Sequence, residues 1–149
     1  MTAAELRYFC ESLLALGRQR LNIETGVVSR IEGSGYTVIA VQAKTKVFRA
    51  GDTFALQETY CREVVRTGHS VALTHVEDVP GLKHHPLYMP MMLEAYVAAP
   101  VFLAGDVWGT VNYTSMRVRN APFSDAEIAF VEDQAAQVSE ALKTLEETN

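Results

Sequence analysis

The stretch Glu94–Ser115, EAYVAAPVFLAGDVWGTVNYTS, constrains this chain more than any other. It holds two apolar runs, Ala95–Leu103 and Val107–Thr114, separated by Ala104-Gly105-Asp106. A connection of that length and chemistry closes a β-hairpin. Both runs are rich in β-branched and aromatic residues, and neither carries a charge. Strands that read as near-continuous apolar runs are buried on both faces, so this pair is expected in the middle of a sheet covered by helices. Pro100 cannot donate to a ladder and implies a bulge or an end of pairing. Gly109 marks a kink or a close backbone approach on the second strand.

The rest of the chain supplies elements to cover that hairpin. Thr2 and Glu5 have capping-box spacing. Leu6, Phe9, Leu13 and Leu16 follow at steps of three and four, which predicts a helix to about Leu21 or Asn22. Gly26–Glu32 and Tyr36–Ala43 read as strands joined by Gly33-Ser34-Gly35. Arg30 and Glu32 make the first of them look less buried than the central pair. Lys44–Phe54 reads as a loop with a short strand near Val47–Arg49. Thr59–Thr67 reads as a short helix that Thr59 caps and Gly68 ends, with Cys61, Val64 and Val65 on one face. Val71–Val76 is a short strand. Lys83–Leu93, KHHPLYMPMML, is Pro-punctuated and Met-rich, a composition that favours adaptable packing. Ser124 and Glu127 form a second capping-box pattern, with Phe123 and Ile128 as its hydrophobic staple. Ile128, Val131, Ala135, Val138, Leu142 and Leu145 then make a heptad-like stripe, read as packing on the sheet or also on a partner subunit. The whole is one α+β domain spanning residues 1–149: an antiparallel sheet with terminal helices on one side and a middle insertion on the other.

Composition narrows the function. Thirteen Lys+Arg against 18 Asp+Glu give a net charge of −5. No basic cluster stands out in the sequence, so nucleic acid and anionic membranes are not expected partners. No run is long enough for a transmembrane helix, and the N-terminus is not a signal peptide. Two isolated cysteines, Cys10 and Cys61, match neither a disulfide scaffold nor CxxC, so a reduced, cytoplasmic protein is expected. The catalytic patterns GxSxG, HExxH and a glycine-rich phosphate loop do not occur. His69, His75, His84 and His85 include no i, i+4 pair and no completing ligand cluster, so no metal is expected.

Several short pieces occur together in order. They are Gly51-Asp52-Thr53-Phe54-Ala55-Leu56 leading into Thr59-Tyr60-Cys61, His85-Pro86, Leu93-Glu94-Ala95-Tyr96, Ala99-Pro100-Val101, Trp108-Gly109-Thr110-Val111-Asn112-Tyr113 and Pro122-Phe123-Ser124. In that order and spacing the chain, from about Leu6 to Leu145, resembles a GAF domain. It is most similar to those of bacterial and archaeal histidine kinases and diguanylate cyclases. The resemblance implies a PAS-like fold with a central antiparallel sheet of about five or six strands. It places the terminal helices on one face, and middle helices and a loop over a small-molecule pocket on the other. It also implies a homodimer through the terminal helices and a kinase or cyclase output partner.

The resemblance fixes no cofactor, because GAF domains bind cyclic nucleotides, bilins, haem or small metabolites. Asn112 and Phe123 match part of the cyclic-nucleotide pattern, but Tyr113 stands where its lysine would be. His84-His85 has no neighbouring cysteine for a bilin. His75 or His85 are the candidates for a single axial haem ligand. The expected ligand-binding set is Tyr60, Cys61, Val64, His75, His85, Tyr88, Met92, Tyr96, Asn112 and Tyr113. Tyrosines suit such a pocket because they combine an apolar body with a polar tip. The leading expectation is a non-enzymatic sensory module for an unidentified small molecule. The alternatives are a thiol-dependent reductase of the free methionine sulfoxide type using Cys61, whose helix-start position favours a thiolate, and a ligand-free dimerisation module.

Overall fold

The computed structural model describes residues 2–44, 48–59, 61–73, 95–117, 119 and 121–148. Helix α1 spans Ala3–Leu21 and is followed by strands β1 (Thr25–Glu32), β2 (Gly35–Ala43) and β3 (Thr53–Ala55). A 3-10 turn (Leu56–Glu58), helix α2 (Cys61–Thr67) and strand β4 (Val71–Leu73) come next. Strands β5 (Ala95–Leu103) and β6 (Asp106–Ser115) and helix α3 (Asp125–Thr148) complete the order. The six strands form one antiparallel sheet, β3-β2-β1-β6-β5-β4.

The expected hairpin is present, and its sheet is larger than its own two strands. Leu103 pairs with Asp106, so the turn has two residues, Ala104 and Gly105, both with positive φ. That backbone matches the twist of the flanking strands. Pro100 stays in register opposite Thr110, and the irregularity falls one step later, between Val101 and Phe102. β4 pairs only Tyr96–Ala98, so Pro100 has a neighbouring strand on one side and its missing N–H can face the edge. Gly109 is a close approach, as expected: a Cβ there would overlap the Ser29 carbonyl oxygen of β1.

The central pair of the sheet is β1 and β6, so β1 is more buried than Arg30 and Glu32 suggested. Thr25–Ser29 are all buried, and only the end that carries the two charges emerges. The short strand expected near Val47–Arg49 lies instead at Thr53–Ala55, pairing with Gly35–Thr37. Phe48 and Arg49 have no regular structure, and Val47 lies outside the described residues.

Both helix-start signals behave as read. The Thr2 hydroxyl accepts from Glu5 N–H (3.1 Å) and the Glu5 carboxylate accepts from Thr2 N–H (3.4 Å). Ser124 and Glu127 repeat this at 3.0 and 2.9 Å. Each such cap is worth about 1 kcal/mol. The α1 stripe, however, is rotated from its expected position. Leu6, Cys10, Leu13, Leu14, Gly17 and Leu21 are buried, whereas Leu16 is 64% exposed. A step of 100° per residue lets Leu14 and Gly17 replace Leu16 on the sheet side.

α1 and α3 cover one sheet face. Val131, Ala135, Val138 and Leu142 of the α3 stripe are buried against Val97, Ala99, Val101, Val111 and Tyr113. On the other face Leu56, Cys61 and Val64 pack with Val27, Tyr36, Val38, Tyr96 and Ala98. The α3 stripe is therefore consumed inside the chain. Among the described residues, no helix is long and apolar enough to cross a membrane.

Candidate functional site

Period-two alternation sorts the sheet residues onto the two faces. On the α2 side it gathers six uncharged polar side chains: Ser29 (β1), Tyr36 (β2), Cys61 (α2), Tyr96 (β5), and Thr110 and Asn112 (β6). None is more than 7% exposed. Thr110 Oγ1 is the hub, 2.7 Å from Ser29 Oγ, 3.3 Å from Cys61 Sγ and 3.0 Å from Asn112 Nδ2, which donates to it. Asn112 Nδ2 also donates to Tyr36 Oη (3.3 Å) and lies 3.6 Å from Cys61 Sγ. Cys61 Sγ is 3.0 Å from Tyr96 Oη. Asn112 Oδ1 accepts no hydrogen bond among the described residues. Ser29 and Thr110 are direct partners in the β1–β6 register, and Gly109 beside them lets the two strands approach closely.

Electrostatics follow from burial. Burial pushes the Cys61 thiol up, and bonds from Thr110, Tyr96 and Tyr36 offset this only in part. Burial also pushes Tyr36 well above its ordinary value, helped by the neighbouring Cys61. The network is therefore neutral near physiological pH. Cys61 is a buried packing residue, and burial, the largest influence on its thiol, works against the thiolate that a helix start would favour.

Of the expected ligand-binding set, the structure brings Cys61, Val64, Tyr96 and Asn112 together on this face. Tyr113 is a correction. It follows Asn112 on the strand, so it points through the opposite face, where its hydroxyl donates to Gln134 Oε1 between α1 and α3. Tyr60, His75, His85, Tyr88 and Met92, and His84 beside them, lie outside the described residues. Ser29, Tyr36 and Thr110 were not anticipated. Thr110 had a usable signal, two residues before Asn112 and hence on its face. Ser29 had a weaker one, as a small polar residue inside an apolar strand. The Thr59 hydroxyl, expected to cap α2, donates to the Leu56 carbonyl (3.0 Å). No group of three or more His, Cys, Asp or Glu suited to a metal occurs among the described residues.

The family model of the GAF domain matches residues 5–142. The search of curated proteins finds no match. Among solved structures, the chain is similar to the blue-light-absorbing form of the Thermosynechococcus elongatus PixJ GAF domain. The identity is 22% over 97% of this chain and 90% of that one, with a TM-score of 0.76. It is also similar to the GAF domain of an Acinetobacter phosphoenolpyruvate-protein phosphotransferase (13%, covering 96% and 85%, TM-score 0.78). A third is the type II free methionine-R-sulfoxide reductase of Thermoplasma acidophilum (14%, covering 93% and 92%, TM-score 0.75). At these identities the likeness is one of fold.

Proposed function

The chain belongs to the GAF domain family, and on that premise we propose that it is a non-enzymatic sensory module that binds a small molecule on the α2 face of its sheet. The observation that carries this reading is the buried, uncharged network of Ser29, Tyr36, Cys61, Tyr96, Thr110 and Asn112, in which Asn112 Oδ1 accepts no hydrogen bond among the described residues. A mostly apolar site with a few convergent polar groups suits a neutral polar ligand. A ligand that bonds Asn112 displaces β6. The next residue on that strand, Tyr113, then carries the displacement through Gln134 to Leu13 of α1, whose carbonyl accepts from Gln134 Nε2 (2.9 Å). The ligand thereby shifts the population between two arrangements of the terminal helices. A homodimer through those helices, a kinase or cyclase as output partner and a cytoplasmic setting complete the reading.

Two observations weigh against a reductase, although one structural neighbour is such an enzyme. The Cys61 thiol is held protonated, and a thiolate is the nucleophile. Cys10, the only other cysteine of the chain, lies in the core on the opposite face of the sheet and cannot resolve a Cys61 intermediate.

Native mass spectrometry with an absorption spectrum of the purified chain, followed by a thermal-shift screen of neutral metabolites, tests the proposal. A bound or stabilising compound is expected, with its effect lost in Asn112→Leu and weakened in Tyr96→Phe. A compound that stabilises Asn112→Leu as much as the wild type removes this face as the site. No bound or stabilising compound at all favours the ligand-free dimerisation module.

A further inference from the structure

The sequence has no basic cluster, but the fold makes one. Four of the nine arginines meet where α1 ends, β6 exits and α3 begins: Arg18, Arg20, Arg117 and Arg119. Arg20, Arg117 and Arg119 line a cleft of about 610 Å³ there, together with Asn22, Ser115 and Glu127. Three arginines thus line it with one carboxylate, Glu127, and Glu24 stands near enough to feel the charge of Arg117, in a chain whose net charge is −5.

The acidic groups of this end are already engaged. Glu127 accepts from Arg119 Nη2 at 3.1 and 3.2 Å and from Ser124 N–H at 2.9 Å. Burial works against its charge, but these partners hold its carboxyl below the ordinary value. Glu24 accepts from Ser115 Oγ (2.6 Å) and Met116 N–H (2.9 Å); the Ser115 bond does most to hold it low, with a smaller contribution from the charge of Arg117. Arg119 is fixed as a wall. It also donates to the Leu21 carbonyl (3.3 Å) and the Ala121 carbonyl (3.2 Å), and its guanidinium lies 4.0 Å over the Phe123 ring. Arg18 donates to the Ile23 carbonyl (3.4 Å).

Arg20 and Arg117 remain. Both are exposed, and neither guanidinium makes a hydrogen bond or ion pair among the described residues. Arg20 rests over the Phe130 ring at 5.8 Å. Its place in the last turn of α1 also suits the helix dipole, but Arg117 lies in no helix and has no such account. Two planar forks without a partner among the described residues, beside a fixed third in one cleft, suit the bidentate binding of an oxyanion. We propose that this cleft is an anion site for a phosphate-bearing small molecule, with Arg20 and Arg117 as its binding residues and Arg119 as its wall. The site is separate from the α2 face of the sheet and does not depend on the reading of that face.

Titration of the full chain with pyrophosphate at physiological salt, followed by amide NMR, tests this. Saturable shifts are expected at Asn22, Ser115 and Arg117. Arg117→Gln and Arg20→Gln should each weaken binding about tenfold, the size of one lost charge-assisted pair. Arg117→Lys should fall between wild type and Arg117→Gln, because it keeps the charge and loses the fork. Arg62→Gln on α2 should bind as the wild type does. Shifts that do not saturate by about 10 mM, weaker than a millimolar complex, overturn the proposal. So does an Arg62→Gln loss equal to that of Arg117→Gln, which would show screening of net charge only. Citrate replacing pyrophosphate with equal affinity would refute selectivity for phosphate and leave a general carboxylate site.

Discussion

The Tyr113 hydroxyl donates to Gln134 directly above Gly17, so one buried phenol from the sheet joins both terminal helices. Gln134 in turn donates to the Leu13 carbonyl, and both side chains are buried. A buried polar group that loses its partner costs about 1–3 kcal/mol. Tyr113→Phe and Gln134→Leu are therefore each expected to lower the unfolding free energy by about that amount. Tyr113→Phe/Gln134→Leu should cost less than the sum of the two, because each single change strands the other partner. Urea unfolding of the four proteins checks this, and strict additivity would show that the bond contributes nothing.

Gly17 gives a prediction whose sign is the test. Gly→Ala inside a helix normally stabilises by about 1 kcal/mol. Here the new methyl would overlap the Tyr113 hydroxyl, and Gly26 packs closely on the same ring, where a Cβ would lie 2.7 Å from Cε1, so the ring has little room to shift. Gly17→Ala is expected to destabilise by about 1–3 kcal/mol, the cost of overpacking, and Tyr113→Leu should relieve part of it. A stabilised Gly17→Ala would mean that the slot is looser than the structure shows.

Much of this fold was legible because its signals are local. The two capping boxes and the hairpin turn are each fixed by residues within four positions of one another. What was misread depends on direction. Asn112 and Tyr113 were placed in one pocket, although neighbours on a strand must face opposite ways. Leu16 fitted the α1 stripe by spacing, but Gly17 holds the sheet side because Tyr113 needs the room, and that need is visible only once β6 is in place. The arginine cleft was invisible because its residues lie almost a hundred positions apart. Lys44–Phe54 carries no period, so nothing located β3.

The alkaline limb of stability should report Cys10. Burial, with a smaller push from Glu11, raises its thiol from 9.0 to about 12 in the folded chain. The folded state keeps the proton after the unfolded state has lost it. Stability is thus complete below pH 9.0 and declines between 9.0 and about 12. The slope from this one group is about 1.4 kcal/mol per pH unit. In Cys10→Ala that contribution vanishes, so the wild-type advantage at pH 8 should shrink across this window. Parallel stability curves for the two proteins from pH 8 to 11 would refute it.

Ala104 holds φ of 53° in the hairpin turn beside Gly105 at 86°. Both central residues of a type I′ turn need positive φ, and Asn-Gly is the favoured pair there. An alanine is strained in that region by about 1–2 kcal/mol, a cost asparagine largely avoids. Ala104→Asn is expected to raise the unfolding free energy by about 0.5–1 kcal/mol, read as a higher urea midpoint with an unchanged slope. A lower midpoint would place the strain elsewhere.

The proposed dimer needs a contact surface, and the α3 stripe cannot supply it, because Val131 and Val138 are fully buried under the sheet. Deleting α3 would therefore unfold the chain before it reported on association. α1 offers another face. Tyr8 is 74% exposed and Leu16 is 64% exposed, two turns apart on one side of the helix with Ser12 between them. Exposed large apolar side chains on a terminal helix are where a second copy would bury area without disturbing the core. Tyr8→Glu/Leu16→Glu is expected to convert a dimer to a monomer by light scattering. Its far-UV spectrum should be intact, since substitutions at exposed positions shift stability by only about 0.5 kcal/mol. A double variant that keeps the wild-type mass would move the interface off this face of α1, and a monomeric wild type would end the dimer proposal.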